Sequence, residues 1–147
     1  MDFSYITCTP QQTRELGMAW AKEIIQRRKG TVLALEGDLG GGKTTFLQGF
    51  ARGLDICDRI VSPTFIIVKK FPISHPYFKF FFHIDCYRIE KEKELVDLGI
   101  KEILSSPRNI VALEWAGRIQ DLLPSGALRI GFKFYGFDKR IITLENA

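Results

Sequence analysis

The chain has 147 residues, 46% of them hydrophobic and 26% charged, proportions that exclude a disordered or membrane-spanning class and leave a globular one. Its length is that of one domain, expected to span 1–147, and suffices to bury about two-thirds of the unfolded surface without covalent staples. Three cysteines with no C-x-x-C pair and two histidines argue against a disulfide framework or a His/Cys metal cluster, while a net charge of +4 suits either a polyanionic partner or a plain solvated surface.

The N-terminal MDFSYITCTPQQ has no basic stretch leading into a long apolar one, and no apolar run approaches the roughly 18 residues that cross a bilayer, so a cytoplasmic protein is expected. Residues 3–7 (FSYIT) read as a short strand. Thr9, Pro10 and Gln12 form a helix start: a hydroxyl cap, a proline at the first position and a glutamine three residues after the cap. Leu16, Ala19, Trp20 and Ile24 recur at helical spacing, with Gly30 as the expected stop. Residues 31–36 (TVLALE) are nearly all apolar, the pattern of a strand buried on both faces. The segment 44–54 reads as a helix with Phe46, Leu47 and Phe50 on its apolar side. Runs 65–71 and 78–87, separated by PISHPY, predict a wide-tipped hairpin.

Further along, 90–104 reads as a helix interrupted near Gly99, 109–115 as a buried strand, and 116–124 as a short helix closed by Pro124. Runs 127–135 and 139–145 predict a terminal hairpin around Gly136. The fold class expected is α/β, a single domain with a mixed, partly parallel central sheet flanked by helices.

Within EGDLGGGKTTF (36–46), Gly37, Gly42, Lys43 and Thr44 fit G-x-x-x-x-G-K-[ST], with a buried strand before and a helix after. Glycines let successive backbone N–H groups point inward as an anion nest. The first helical turn adds unpaired donors and the positive end of the helix dipole. Lys43 is placed for β- and γ-phosphates and the Thr44 hydroxyl for Mg²⁺. A second carboxylate at the end of a neighbouring strand is expected to orient that metal. Asp85, in FFFHIDCYRI, and Glu114, in IVALEWAGRI, are the two candidates, each an acid where an unpaired charge is costly. A salt bridge to Arg88 or a helix-start role would explain them without a metal. His83 reads as a core or hydrogen-bonding histidine and Trp115 as packing.

In order, the pieces GDLGGGKTTF, SPTF (62–65), HIDCYRI (83–89), ELVDLGIKEIL (94–104) and LEWA (113–116) resemble the TsaE family of small bacterial P-loop ATPases, over about 9–145. The loop reads GGGK where the family has GAGK, a cysteine replaces leucine in HIDCYRI, and the basic KKF at 69–71 replaces an acidic-aromatic pair. The resemblance implies an ATP- and Mg²⁺-dependent role in making threonylcarbamoyladenosine on tRNA, cycling a TsaB–TsaD complex, with the isolated chain a monomer. It implies that Gly40, Gly41, Gly42, Lys43, Thr44 and Thr45 bind the ATP phosphates. Thr44 and Glu114 would hold Mg²⁺, directly or through water, and Asp85 would be the Walker-B-like acid that orients the metal or the attacking water. Thr64 would sense the γ-phosphate, Trp115 would line the site, and Thr9 and Arg140 would lie near adenine or ribose.

Two other classes remain open on the residues alone. A small-molecule or nucleoside kinase would share the loop, but no arginine-rich lid insertion is visible. A nucleotide-dependent RNA-binding module would use YFKFFFH (77–83) as a stacking surface, a run that reads equally as a buried strand.

Overall fold

The computed structural model describes residues 3–37, 42–58, 60, 68–136 and 138–146. Strand β1 (Phe3–Thr7) leads into helix α1 (Pro10–Arg27), strand β2 (Thr31–Gly37) and helix α2 (Lys43–Gly53). Strands β3 (Val68–Pro72) and β4 (Phe80–Asp85) follow, then helices α3 (Glu92–Val96) and α4 (Ile100–Ser105). Strand β5 (Asn109–Glu114), a 3-10 helix (Ala116–Leu122) and strands β6 (Leu128–Tyr135) and β7 (Lys139–Asn146) complete the order. One seven-stranded sheet collects every strand among the described residues, ordered β1-β7-β6-β2-β5-β4-β3. β2 runs parallel to β5 and β6, and β5 parallel to β4. The expected hairpins pair antiparallel, β3 with β4 and β6 with β7. The mixed, partly parallel sheet flanked by helices is the fold class expected.

The apolar run of β2 is central because both its faces are covered. Leu33 and Leu35 join the aromatic core under α1 and α2, built on Phe46, Phe50, Phe81 and Phe132. Val32 and Ala34 turn to the opposite layer, where Leu95 of α3, Ile100 of α4 and Ile119 pack. Period-two alternation thus feeds two cores from one strand. On β4, Phe81 faces the α1/α2 side and Phe82 and Ile84 the other, and on β5, Ile110 and Ala112 face α1/α2. The rings of Phe78, Phe81 and Phe82 are therefore interior, with no open faces to stack bases on. In the basic departure KKF, Lys70 Nζ lies 3.9 Å from the Phe80 ring centroid, and Phe71 stacks on Phe81.

The start of α1 has the chemistry its sequence announced. Thr9 Oγ1 accepts from the Gln12 N–H at 3.1 Å, and Gln12 Oε1 accepts from the Cys8 N–H at 2.6 Å. Two expectations for this helix need correction. It stops before Gly30, because Arg28 takes the left-handed conformation at φ 48° and its N–H bonds back to the Ile25 carbonyl. Its buried line is Thr13, Gly17, Ala21 and Ile24, while Ala19 is exposed and Leu16 and Trp20 only flank the core. The reason is the close approach of α2: a Cβ at Gly17 would run into the Phe46 carbonyl oxygen, and one at Gly49 into that of Arg14. Small residues occupy the line of contact, and the large ones are pushed to its sides. Among the described residues no helix is long and apolar enough to cross a membrane.

Candidate functional site

Parallel pairing brings the carboxyl ends of β2, β4 and β5 to one edge of the sheet, the place where open α/β sheets bind ligands. β2 ends at Gly37, and α2 begins at Lys43 after Gly42, which caps the helix in the left-handed region at φ 104°. Gly37 is obligatory on two counts. Its φ is 144°, and a Cβ there would collide with the Phe132 carbonyl oxygen on β6. From the first turn of α2, Lys43 reaches back so that Nζ donates to the Gly37 carbonyl at 2.8 Å. The same ammonium lies 3.9 Å from the Trp115 ring centroid, and Lys43 is only 5% exposed. Lysine is rarely buried to this extent without a functional or paired role.

Asp85 and Glu114 are register partners at the ends of β4 and β5. Both stand on the α1/α2 face, because Phe81 precedes Asp85 by two pleats and Ala112 precedes Glu114 by one. Glu114 is 3% exposed, and its Oε2 lies 2.6 Å from Nε2 of the fully buried His83. Half-buried Asp85 accepts the Tyr87 backbone N–H at 2.9 Å. Its carboxyl titrates above the ordinary value, chiefly because burial penalises the charge and secondarily because Glu114 repels it. The Tyr87 N–H, His83 and Lys43 pull the other way. Burial also pushes the Cys86 thiol up to about 12, with Asp85 and Glu114 adding to the shift. Cys86 is accordingly an inert packing residue of the second core.

Trp115 follows Glu114 in the left-handed region, φ 61°, which is strained for an aromatic residue. Its N–H donates to the Leu35 carbonyl at 3.2 Å, anchoring the turn to β2, and its ring packs on Tyr87 at 5.2 Å between centroids. The strain thus holds an indole over the Lys43 ammonium.

A cavity of about 280 Å³ opens beside these groups. Its wall includes Thr9, Gly42, Lys43, Thr44, Thr45, Glu114, Trp115 and Arg140, so the structure gathers most of the residues singled out in the sequence. Asp85 is not in the wall but stands beside Glu114. Gly40, Gly41 and Thr64 lie outside the described residues. Sequence reasoning missed Thr7, Thr13 and Asp138, which also line the cavity. Thr7 and Thr13 share a buried hydroxyl hydrogen bond of 2.7 Å that ties β1 to the first turns of α1. No spacing rule marks such a pair, because it exists only once the chain has turned from β1 into α1.

The donor set fits a magnesium nucleotide. Helix-terminal N–H groups and one lysine face where phosphates would sit, and two adjacent carboxylates stand where a cation would relieve their repulsion. Mg²⁺ takes one or two carboxylates together with phosphates and water, so no larger cage of protein ligands is needed.

Comparison with known proteins bears on the same residues. A family model described as "Threonylcarbamoyl adenosine biosynthesis protein TsaE" matches residues 7–142. The tRNA threonylcarbamoyladenosine biosynthesis protein TsaE of Bacillus subtilis (strain 168) is 41% identical over 145 residues, covering 93% of this chain and 81% of its own. The protein of that name from Rickettsia bellii is 30% identical over 139 residues, covering 92% and 90%. A crystal structure of Bacillus subtilis YdiB matches with a TM-score of 0.72 at 34% identity, covering 99% of this chain and 86% of that one. The family match begins at Thr7 in the cavity wall and ends at Ile142 in β7, taking in the loop, both carboxylates and the tryptophan; the chain belongs to the TsaE family.

Proposed function

We propose that this chain is a Mg²⁺-dependent ATPase of tRNA threonylcarbamoyladenosine biosynthesis, slow on its own, whose nucleotide cycle acts on a TsaB–TsaD complex in the cytoplasm. The observation that carries the ATPase half is the convergence of buried Lys43 and the Asp85–Glu114 pair at the ends of three parallel strands, beneath the N-terminus of α2. The biosynthetic half rests on the family and on the names its relatives carry.

In this reading Gly40 to Thr45 cradle the phosphates with backbone N–H groups, and Lys43 exchanges its contact with Gly37 for phosphate oxygens. Thr44, Glu114 and Asp85 would hold Mg²⁺, directly or through water, and the metal would neutralise charge developing on the transferred phosphoryl group. Glu114 also stands to orient an attacking water, Thr64 to sense the γ-phosphate, and Thr9 and Arg140 to border the nucleoside. A fast phosphate-cleaving site of this type commonly needs an arginine placed over the γ-phosphate, worth a factor of about 10³ or more. Arg52 is committed to α2 and points from an exposed position of that helix. We assign the missing organisation to the partner complex.

The test is to measure ATP hydrolysis and threonylcarbamoyladenosine formation with and without TsaB and TsaD, with Thr64→Ala as the switch control. Stimulated hydrolysis and partner-dependent product formation are expected. Fast hydrolysis by the isolated chain, unchanged by the partners, would refute the reading, and phosphate transfer to a nucleoside would replace it with a kinase.

A further inference from the structure

The buried contact between His83 and Glu114 joins residues 31 apart in sequence across two neighbouring strands. β4 and β5 are already held by their backbone ladder, in which His83 stands opposite Ala112, and Asp85 opposite Glu114. Glu114 therefore reaches diagonally, past its own register partner, to meet the imidazole. The result is a carboxylate 4% exposed at its side chain, against a ring with no exposure at all.

A hydrophobic side chain at position 83 would fill the same space without an orphaned polar atom. As it is, Nδ1 is buried with no hydrogen-bond partner among the described residues. An unmade hydrogen bond inside a protein is costly, so the ring is retained for what Nε2 does. The carboxylate is acceptor-only, which assigns the proton to Nε2 and leaves Nδ1 as the lone-pair nitrogen. One oxygen of Glu114 is thereby fixed, in a residue that lines the cavity.

We propose that His83 is a positioning residue for Glu114: its Nε2–H holds one carboxylate oxygen so that the other is presented to the magnesium nucleotide or its attacking water. This rests on the ATPase reading above. Partners of this kind behind a ligand carboxylate typically cost about 10- to 100-fold in activity when removed. The contact also makes Glu114 and Asp85 unequal. Asp85, at the half-exposed end of β4, accepts the backbone N–H of Tyr87, whereas Glu114 meets a side chain in the interior.

Two variants separate positioning from packing. His83→Gln keeps an N–H donor close to the position of Nε2, and His83→Met fills the space without one. With the partner complex present, His83→Met should lower kcat for ATP about 10- to 100-fold with KM within a factor of about two. His83→Gln should recover most of that loss, and adding His83→Met to Glu114→Gln should cost nothing further. Independently of turnover, ¹H–¹⁵N spectra of the imidazole should show Nε2 protonated, with a slowly exchanging proton that shifts on addition of Mg-ATP. A folded His83→Met chain with wild-type kcat, or a ring protonated on Nδ1 alone, overturns the proposal. If the wild-type chain hydrolyses no ATP with its partners, the ATPase reading itself falls, whereas an active wild type beside an equally active His83→Met sinks only the role of His83.

Discussion

Replacing Lys43 by methionine tests the proposed phosphate cradle at its one charged side chain among the described lining residues of the loop and first turn of α2. Methionine retains most of the apolar stem, so the packing of the first turn of α2 is preserved while the ammonium is removed. In the free protein that ammonium donates to the Gly37 carbonyl at 2.8 Å and stands 3.9 Å from the Trp115 ring centroid. In the proposed complex a bound nucleotide would exchange those contacts for phosphate oxygens. A charge-assisted hydrogen bond contributes about 1.5–3 kcal/mol net, and a half-buried cation–aromatic contact given up in return is worth about 0.5–1 kcal/mol. With two phosphate contacts replacing the one to Gly37, the difference is about 0.5–2.5 kcal/mol, a loss of about 2- to 70-fold in Mg-ATP affinity.

Stability should move far less, because a buried charge and its compensating contacts disappear together. A change within about 1 kcal/mol means a Tm shift of about 2–4 °C at this chain length. Titration calorimetry with Mg-ATP and a thermal melt measure the two quantities on one preparation. A folded variant with wild-type affinity would show that Lys43 does not meet the phosphates, and a variant that unfolds would show that its place is structural.

Asp85→Asn should raise the Tm of the metal-free chain at pH 7. Wild-type Asp85 titrates above its ordinary 3.8, so the native state holds a proton that the unfolded state has lost, and stability falls as pH rises through that window. The advantage of the variant should therefore vanish below about pH 3.8 and be complete above the raised native value; melts across pH that show a constant difference, or the opposite sign, contradict it. Gly49→Ala should lower stability by about 1–3 kcal/mol, since its Cβ meets the Arg14 carbonyl and forces α1 away from α2. A denaturant titration showing no loss would mean that the helices are not in backbone contact.

The strands were legible because burial on both faces leaves its mark on composition: TVLALE and NIVALE carry so few polar residues that only the centre of a sheet suits them. The first helix was legible at its start, where Thr9, Pro10 and Gln12 act through local hydrogen bonds that need no tertiary partner. Its buried face was not. Hydrophobicity selects Leu16 and Trp20, but the closest approach selects Gly17 and Ala21, and where that approach falls depends on the crossing with α2. The site divides in the same way. Lys43 and the two acids could be named from a motif and from strand ends, whereas Thr13, Asp138 and the His83–Glu114 contact depend on pairing between distant segments.

What the sequence conceals is also what distinguishes the two carboxylates. Read along the chain, Asp85 and Glu114 look equivalent, each an acid closing an apolar strand. In the sheet they become neighbours in register, and a pair of like charges at that spacing raises the cost of ionising both. The fold resolves this unevenly. Glu114 is taken inside and tied to an imidazole, and Asp85 stands at the half-exposed end of its strand, accepting a backbone N–H. A cation arriving with phosphates in the cavity would relieve the repulsion between the two acids, while Glu114 keeps its orientation throughout. On these grounds Asp85 is the residue whose loss should chiefly weaken the dependence on Mg²⁺, and Glu114 the one whose loss should chiefly lower turnover.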